Sequence, residues 1–155
     1  MPLTFSQQAS LQAPTDLNAL TQVLSWFDRF RDSKMPPPVW LQCQLALAEG
    51  FTNAVRHAHR GLPADTPIDI EVKVGDRSSE IRIWDYGPGF DFDDYLEHVG
   101  DRVDKSAEGG RGLGLMKQIS SYLSYSRTDD QRNCLLLVKN YAEAHRPPAP
   151  LEPQN

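Results

Sequence analysis

Cysteine is nearly missing: Cys43 and Cys134 are the two thiols in 155 residues, and they stand far apart in the chain. Cys43 falls in an apolar helical pattern, where a free thiol packs as a small hydrophobe, so no disulfide framework is expected. Long apolar runs are missing too. No stretch approaches the roughly 18 apolar residues of a membrane-spanning helix, and no basic segment followed by an apolar run opens the sequence. Together these features predict a reduced, cytoplasmic protein without a membrane partner. Positive charge is in deficit, with 16 Lys and Arg against 21 Asp and Glu for a net charge of -5. Phosphate backbones demand clustered cations, so direct nucleic-acid binding is not expected either.

What remains is an ordinary globular composition, 39% hydrophobic and 24% charged, long enough for a single core. One domain is expected over residues 1–144, followed by a proline-rich, disordered tail over 145–155. Residues 2–12 alternate weakly and read as an edge strand, after which Thr15 or Asp16 can cap a helix over 17–31. Pro36, Pro37 and Pro38 interrupt the helical pattern, and a second helix is expected over 39–59. Residues 68–74 and 80–84 alternate apolar and polar about a short turn, which predicts a β-hairpin. A short helix over 92–99, a polar loop over 100–111, a helix over 113–122 and closing strands over 122–127 and 134–138 complete the order. Trp26, Trp40 and Trp84 sit in apolar patterns and are assigned to the core. This is an α+β architecture: a two-layer sandwich with helices on one face of a mixed, largely antiparallel sheet.

Three segments stand out against that frame. Glu49, Asn53 and His57 recur every four residues and form a polar stripe on the second helix, with Leu45, Leu47, Phe51, Ala54 and Val55 as its apolar faces. The stripe suits a base and a magnesium ligand, since magnesium takes few protein oxygens, and it equally suits a solvated helical face. His57 is expected to pack or hydrogen-bond beneath such a site, because His57 and His59 point to different sides of a helix. Asp85 ends a strand before Gly87 and Gly89, which fits a pocket carboxylate accepting from an exocyclic amine, or an Asp-led turn. Gly109, Gly110, Gly112 and Gly114 lie where a loop becomes a helix, which fits a phosphate cradle as well as a flexible loop. They match neither the dinucleotide nor the Walker glycine spacing.

In this order the segments resemble the N, G1 and G2 boxes of Bergerat-fold ATPases, the GHKL or histidine kinase-like superfamily. Within it AEGFTNAVRHAH looks most like the anti-sigma factor serine-protein kinase family, over roughly residues 3–141. The resemblance implies Glu49 as general base, Asn53 as the magnesium ligand, and Asp85, Gly87 and Gly89 at the adenine. It implies Gly109, Gly110, Arg111, Gly112, Leu113 and Gly114 around the phosphates, with ATP and Mg2+ as cofactors. The implied activity is phosphorylation of a Ser or Thr on an anti-anti-sigma protein, controlling a sigma factor by partner switching, and the implied assembly is a homodimer. A partner-sequestering nucleotide-binding module and a simple ATPase are the alternatives. The sequence departs from the family pattern where Arg111 stands one place late in the lid, and where Arg132-Asn133 replaces a Gly-Thr before the last strand.

Overall fold

Alternation of apolar residues builds the sheet first. The structure, a computed structural model, describes residues 5–89 and 110–141. Strands β1 (Phe5–Ala13), β2 (Ile68–Gly75), β3 (Ser78–Asp85), β4 (Tyr122–Arg127) and β5 (Asn133–Asn140) form one sheet in the order β1-β2-β3-β5-β4. Every described pairing is antiparallel, so the expected parallel component of the sheet is not found there. Ile68, Ile70, Val72, Val74, Ile81, Ile83, Leu135 and Leu137 all bury on one face, as a period of two requires. The hairpin turn is tighter than expected, with only Asp76 and Arg77 between β2 and β3. Tyr141 fastens it by donating its hydroxyl to the carbonyls of Gly75 and Ser78.

Helices cover that apolar face. The Asp16 side chain caps the first of them by accepting from the Asn18 N–H at 2.9 Å. A 3-10 turn over Leu17–Ala19 leads into α1 (Leu20–Phe27) and a second 3-10 turn over Asp28–Phe30. The prolines start the next helix instead of merely separating two: α2 spans Pro37–Asn53, with Pro37 in the first turn, where a missing N–H costs nothing. Phe27 of α1 stacks on Trp40 of α2, ring centroids 5.7 Å apart. Helix α3 (Gly110–Ile119) buries Met116 and Ile119, and Lys139 donates to the Ile119 carbonyl at its C-terminus.

Four expectations are corrected. α2 does not continue regularly to residue 59, because Ala54–Ala58 form a π turn. The wider turn rotates the following side chains away from the α-helical extrapolation, so His57 is exposed and His59, 1% exposed, is the buried histidine. Leu45, assigned to an apolar face, is 45% exposed. Trp84 is not in the core, since it alternates with buried Ile83 and Asp85 and points to the sheet's outer face, under the Arg132 guanidinium. The helix expected over 92–99, most of the loop over 100–111, and the tail over 145–155 lie outside the described residues.

Candidate functional site

Strand order creates the site. Because β5 inserts between β3 and β4, Asp85 pairs with Asn133 and Asn133 with Arg127, while Ile83 pairs with Leu135 and Leu135 with Tyr125. These two cross-strand rows lie on the helix-facing side at one end of the sheet. Above them stand Gly50, Asn53, Ala54 and Ala58 from α2 and its π turn. Those four residues and Ile83, Asp85, Tyr125 and Leu135 enclose a pocket of about 330 Å³, its open mouth included.

Asp85 is the polar centre of that pocket and only 3% exposed. The same alternation that buries Ile81 and Ile83 turns its side chain inward. A buried carboxylate needs donors, and three reach it. The Gly87 N–H and Asn133 Nδ2 both donate to Oδ1 at 2.9 Å, and the Tyr125 hydroxyl donates to Oδ2 at 2.8 Å. Asn133 Nδ2 also donates to the Gly87 carbonyl at 2.9 Å, and Arg127 reaches the same carbonyl at 3.1 Å. Both acceptors beside Nδ2 fix which way the Asn133 amide faces. Burial and the Asp85 charge push the Tyr125 pKa up, so the phenol stays protonated.

The turn after Asp85 is held from two sides. A Cβ on Gly87 would stand 2.3 Å from the Ala58 carbonyl oxygen, so the backbone passes the π turn at a distance that only glycine permits. Gly89 has φ +80°, the left-handed region glycine favours. His59 accepts the Tyr86 N–H on Nε2 at 2.8 Å. The π turn and the strand end are thus joined twice within neighbouring residues. π segments of this kind recur at functional sites.

Residues 13–139 match the histidine kinase-like ATPase domain family. The chain belongs to that family. It is also similar to serine-protein kinases: it is 37% identical over 82 residues to the serine-protein kinase RsbW of Bacillus pumilus, covering 49% of this chain and 51% of that protein. It is 33% identical over 81 residues to RsbW of Bacillus subtilis, with coverages of 49% and 50%, and 30% identical over 98 residues to RsbW of Staphylococcus epidermidis, with 60% and 55%. The chain spans about half the length of the curated relatives it matches. Among solved structures, a chain of the SiaB-SiaC complex from Pseudomonas aeruginosa aligns with TM-score 0.57 over 86% of this chain and 89% of that one. At 13% identity that likeness is one of fold.

For a histidine kinase-like ATPase domain the expected residues divide into three groups. Asn53 and Asp85 meet in the pocket, with Gly87 and Gly89 in the turn behind Asp85. Glu49 is half-buried on α2 one turn before Asn53 and is not among the described residues that line the pocket. Gly109 lies outside the described residues, while Gly110, Arg111, Gly112, Leu113 and Gly114 belong to the start of α3 itself. The glycines expected ahead of a helix are therefore its opening residues, whose first N–H groups have no partner within the helix. Asn53 Nδ2 is buried without a hydrogen-bond partner among the described residues, an orphaned amide in the pocket wall. No cluster of three or more His, Cys, Asp or Glu suited to a metal occurs among the described residues. A carboxamide oxygen fits a magnesium ion whose other ligands are water and phosphate.

Reading the sequence missed Tyr125, Arg127 and His59 and met Asn133 only as a departure from the pattern. The signal for Asn133 was present: it precedes Leu135 and Leu137 by the strand period, so it shares their buried face. No helix of the described residues is long and apolar enough to cross a membrane.

Proposed function

We propose that this chain binds ATP with Mg2+ and phosphorylates a Ser or Thr hydroxyl on a small anti-anti-sigma protein, controlling a sigma factor by partner switching. The observation that carries the reading is one pocket combining a buried carboxylate, Asp85, with the Asn53 carboxamide, whose Nδ2 donor has no partner among the described residues. Asp85 accepts the exocyclic amine of adenine, and Gly87 and Gly89 keep side chains off the turn behind it. Asn53 offers its side-chain oxygen to the cation, while Gly109, Gly110, Arg111, Gly112, Leu113 and Gly114 surround the phosphates. A magnesium ion held by Asn53 would supply charge stabilisation for the phosphates during transfer. Glu49 takes the hydroxyl proton. The single domain spans residues 1–144 with 145–155 as a tail, acts in the cytoplasm and pairs as a homodimer.

A second reading has its own support. Glu49 stands outside the pocket lining, which favours a module that holds nucleotide and sequesters a partner without transferring phosphate. Labelled ATP incubated with the chain and candidate anti-anti-sigma proteins separates the readings. Label on a partner Ser or Thr, lost about a hundredfold in Glu49→Gln while ATP binding persists, is the expected result. Bound ATP without turnover supports the sequestering module, and free phosphate alone a simple ATPase. A Glu49→Gln protein of full activity would remove the base assignment. In the same titrations Asn53→Ala should weaken ATP binding with magnesium more than without it.

A further inference from the structure

A carboxylate offers about four lone-pair positions on its two oxygens. In Asp85 three are taken by the chain itself: Oδ1 by the Gly87 N–H and Asn133 Nδ2, and Oδ2 by the Tyr125 hydroxyl. Each donor is anchored. Gly87 sits against the Ala58 carbonyl, Asn133 is 2% exposed and held by a second bond to the Gly87 carbonyl, and Tyr125 lies in a strand beside Leu135. Among the described residues no fourth donor reaches the Asp85 carboxylate, which leaves one position on Oδ2, on a residue that lines the same pocket as Tyr125.

That arithmetic has a chemical consequence. Adenine presents an N–H donor at its six-position, where guanine presents a carbonyl oxygen. A carboxylate with both oxygens free can instead take two adjacent donors, as on the N1 and N2 edge of guanine. Filling Oδ1 from within removes that two-pronged mode, and fixing Oδ2 with one bond leaves room for a single donor. Without the Tyr125 bond the carboxylate is held through Oδ1 alone, and Oδ2 keeps a second open acceptor position in place of one directed at the pocket.

We propose that Tyr125 is the positioning residue of the base pocket: its hydroxyl holds the Asp85 carboxylate so that one Oδ2 acceptor reads a single exocyclic amine, which sets the preference for adenine. This rests on reading the pocket as a nucleotide site. The protonated state of the phenol, maintained by burial and by Asp85, keeps it a donor throughout the physiological range.

The test is a cycle between one side chain and one ligand group. ATP and purine riboside triphosphate, which lacks the six-amine, are titrated against the wild-type chain and Tyr125→Phe, with circular dichroism to establish that both are folded. Tyr125→Phe keeps the ring and removes only the hydroxyl. The wild type should prefer ATP; the variant should lose about tenfold for ATP, the scale of a hydrogen bond to a charged group, and less than twofold for the analogue. Equal losses for both ligands would mean a merely structural tyrosine and would overturn the proposal, as would unchanged ATP affinity. If the variant unfolds, Asn133→Thr, which keeps one donor toward Oδ1, must retain the ATP preference, and its loss there overturns the assignment of direction to Tyr125. A wild type that binds neither ligand sinks the nucleotide reading itself; one that binds both equally sinks the reading of the six-amine by Asp85 and the proposal with it; wild-type discrimination that survives in Tyr125→Phe sinks only the role of Tyr125.

Discussion

The Tyr86 N–H donates to Nε2 of His59 across 2.8 Å, tying the residue after Asp85 to the end of the π turn. The tautomer follows from the other ring nitrogen. The Thr15 hydroxyl donates its one proton to the Thr66 carbonyl at 2.6 Å, so at its 2.7 Å contact with Nδ1 it must accept. Nδ1 therefore carries the hydrogen, Nε2 is bare, and the ring is neutral. Burial lowers the His59 pKa, with the Asp85 charge opposing.

That neutral ring predicts acid sensitivity. A folded-state pKa below the unfolded value of about 6.5 means that the His59 contribution is complete above that pH and is lost as pH falls through the folded pKa. Thermal unfolding followed from pH 7.5 to 5 should show a fall in melting temperature that is shallower in His59→Gln, a variant that cannot gain the charge. At pH 7.5 the variant should already be less stable by about 1–3 kcal/mol, because its amide does not reproduce both ring contacts. Parallel pH profiles for the two proteins would remove His59 as the titrating group.

Gly87→Ala tests the contact with the π turn. Its Cβ would collide with the Ala58 carbonyl oxygen at 2.3 Å, and a backbone oxygen cannot swing aside as a side chain can. The Asp85–Gly87 hydrogen bond should break as the turn shifts. A loss of about 1–3 kcal/mol in denaturant unfolding is expected, together with weaker ATP binding. A variant as stable as the wild type and equal in ATP affinity would show that the turn yields freely.

Asn133 is predicted to matter through its two donors. Asn133→Ala leaves the Asp85 Oδ1 and the Gly87 carbonyl each short of a partner and should cost about 1–3 kcal/mol. Asn133→Asp is the sharper probe. It sets a second carboxylate about 2.9 Å from the first, where both cannot stay ionised, so one binds a proton. Its deficit relative to the wild type should therefore shrink as the pH is lowered from 8 to 5, measured by unfolding at each pH. A deficit constant across that range would contradict the shared-proton geometry.

The polar stripe of α2 shows where local periodicity serves and where it stops. Glu49 and Asn53 do follow the four-residue repeat, and Asn53 reaches the pocket, because the hydrogen-bond pattern of an α-helix sets side-chain direction from near neighbours alone. His57 breaks the series, since the π turn over Ala54–Ala58 adds a residue's worth of rotation that no pattern of residue types announced. The π turn brings Ala58 against Gly87 and turns His59 inward.

The sequence by itself determined the hairpin, the strand that ends at Asp85 and the break in the helical pattern at the prolines. Each depends on geometry within a few residues: a period of two for Ile81, Ile83 and Asp85, and a fixed φ for Pro37. The three glycine- and carboxylate-bearing segments also sufficed to suggest the family. Only the tertiary structure decided what surrounds Asp85. Placing β5 between β3 and β4 is a choice about which strand buries its continuous apolar run, made across many residues of chain; it brings Asn133 and Tyr125 to a carboxylate at least forty positions distant from each, and Arg127 to the Gly87 carbonyl behind it. Cross-strand neighbours are fixed by pairing order, and pairing order is a property of the whole core.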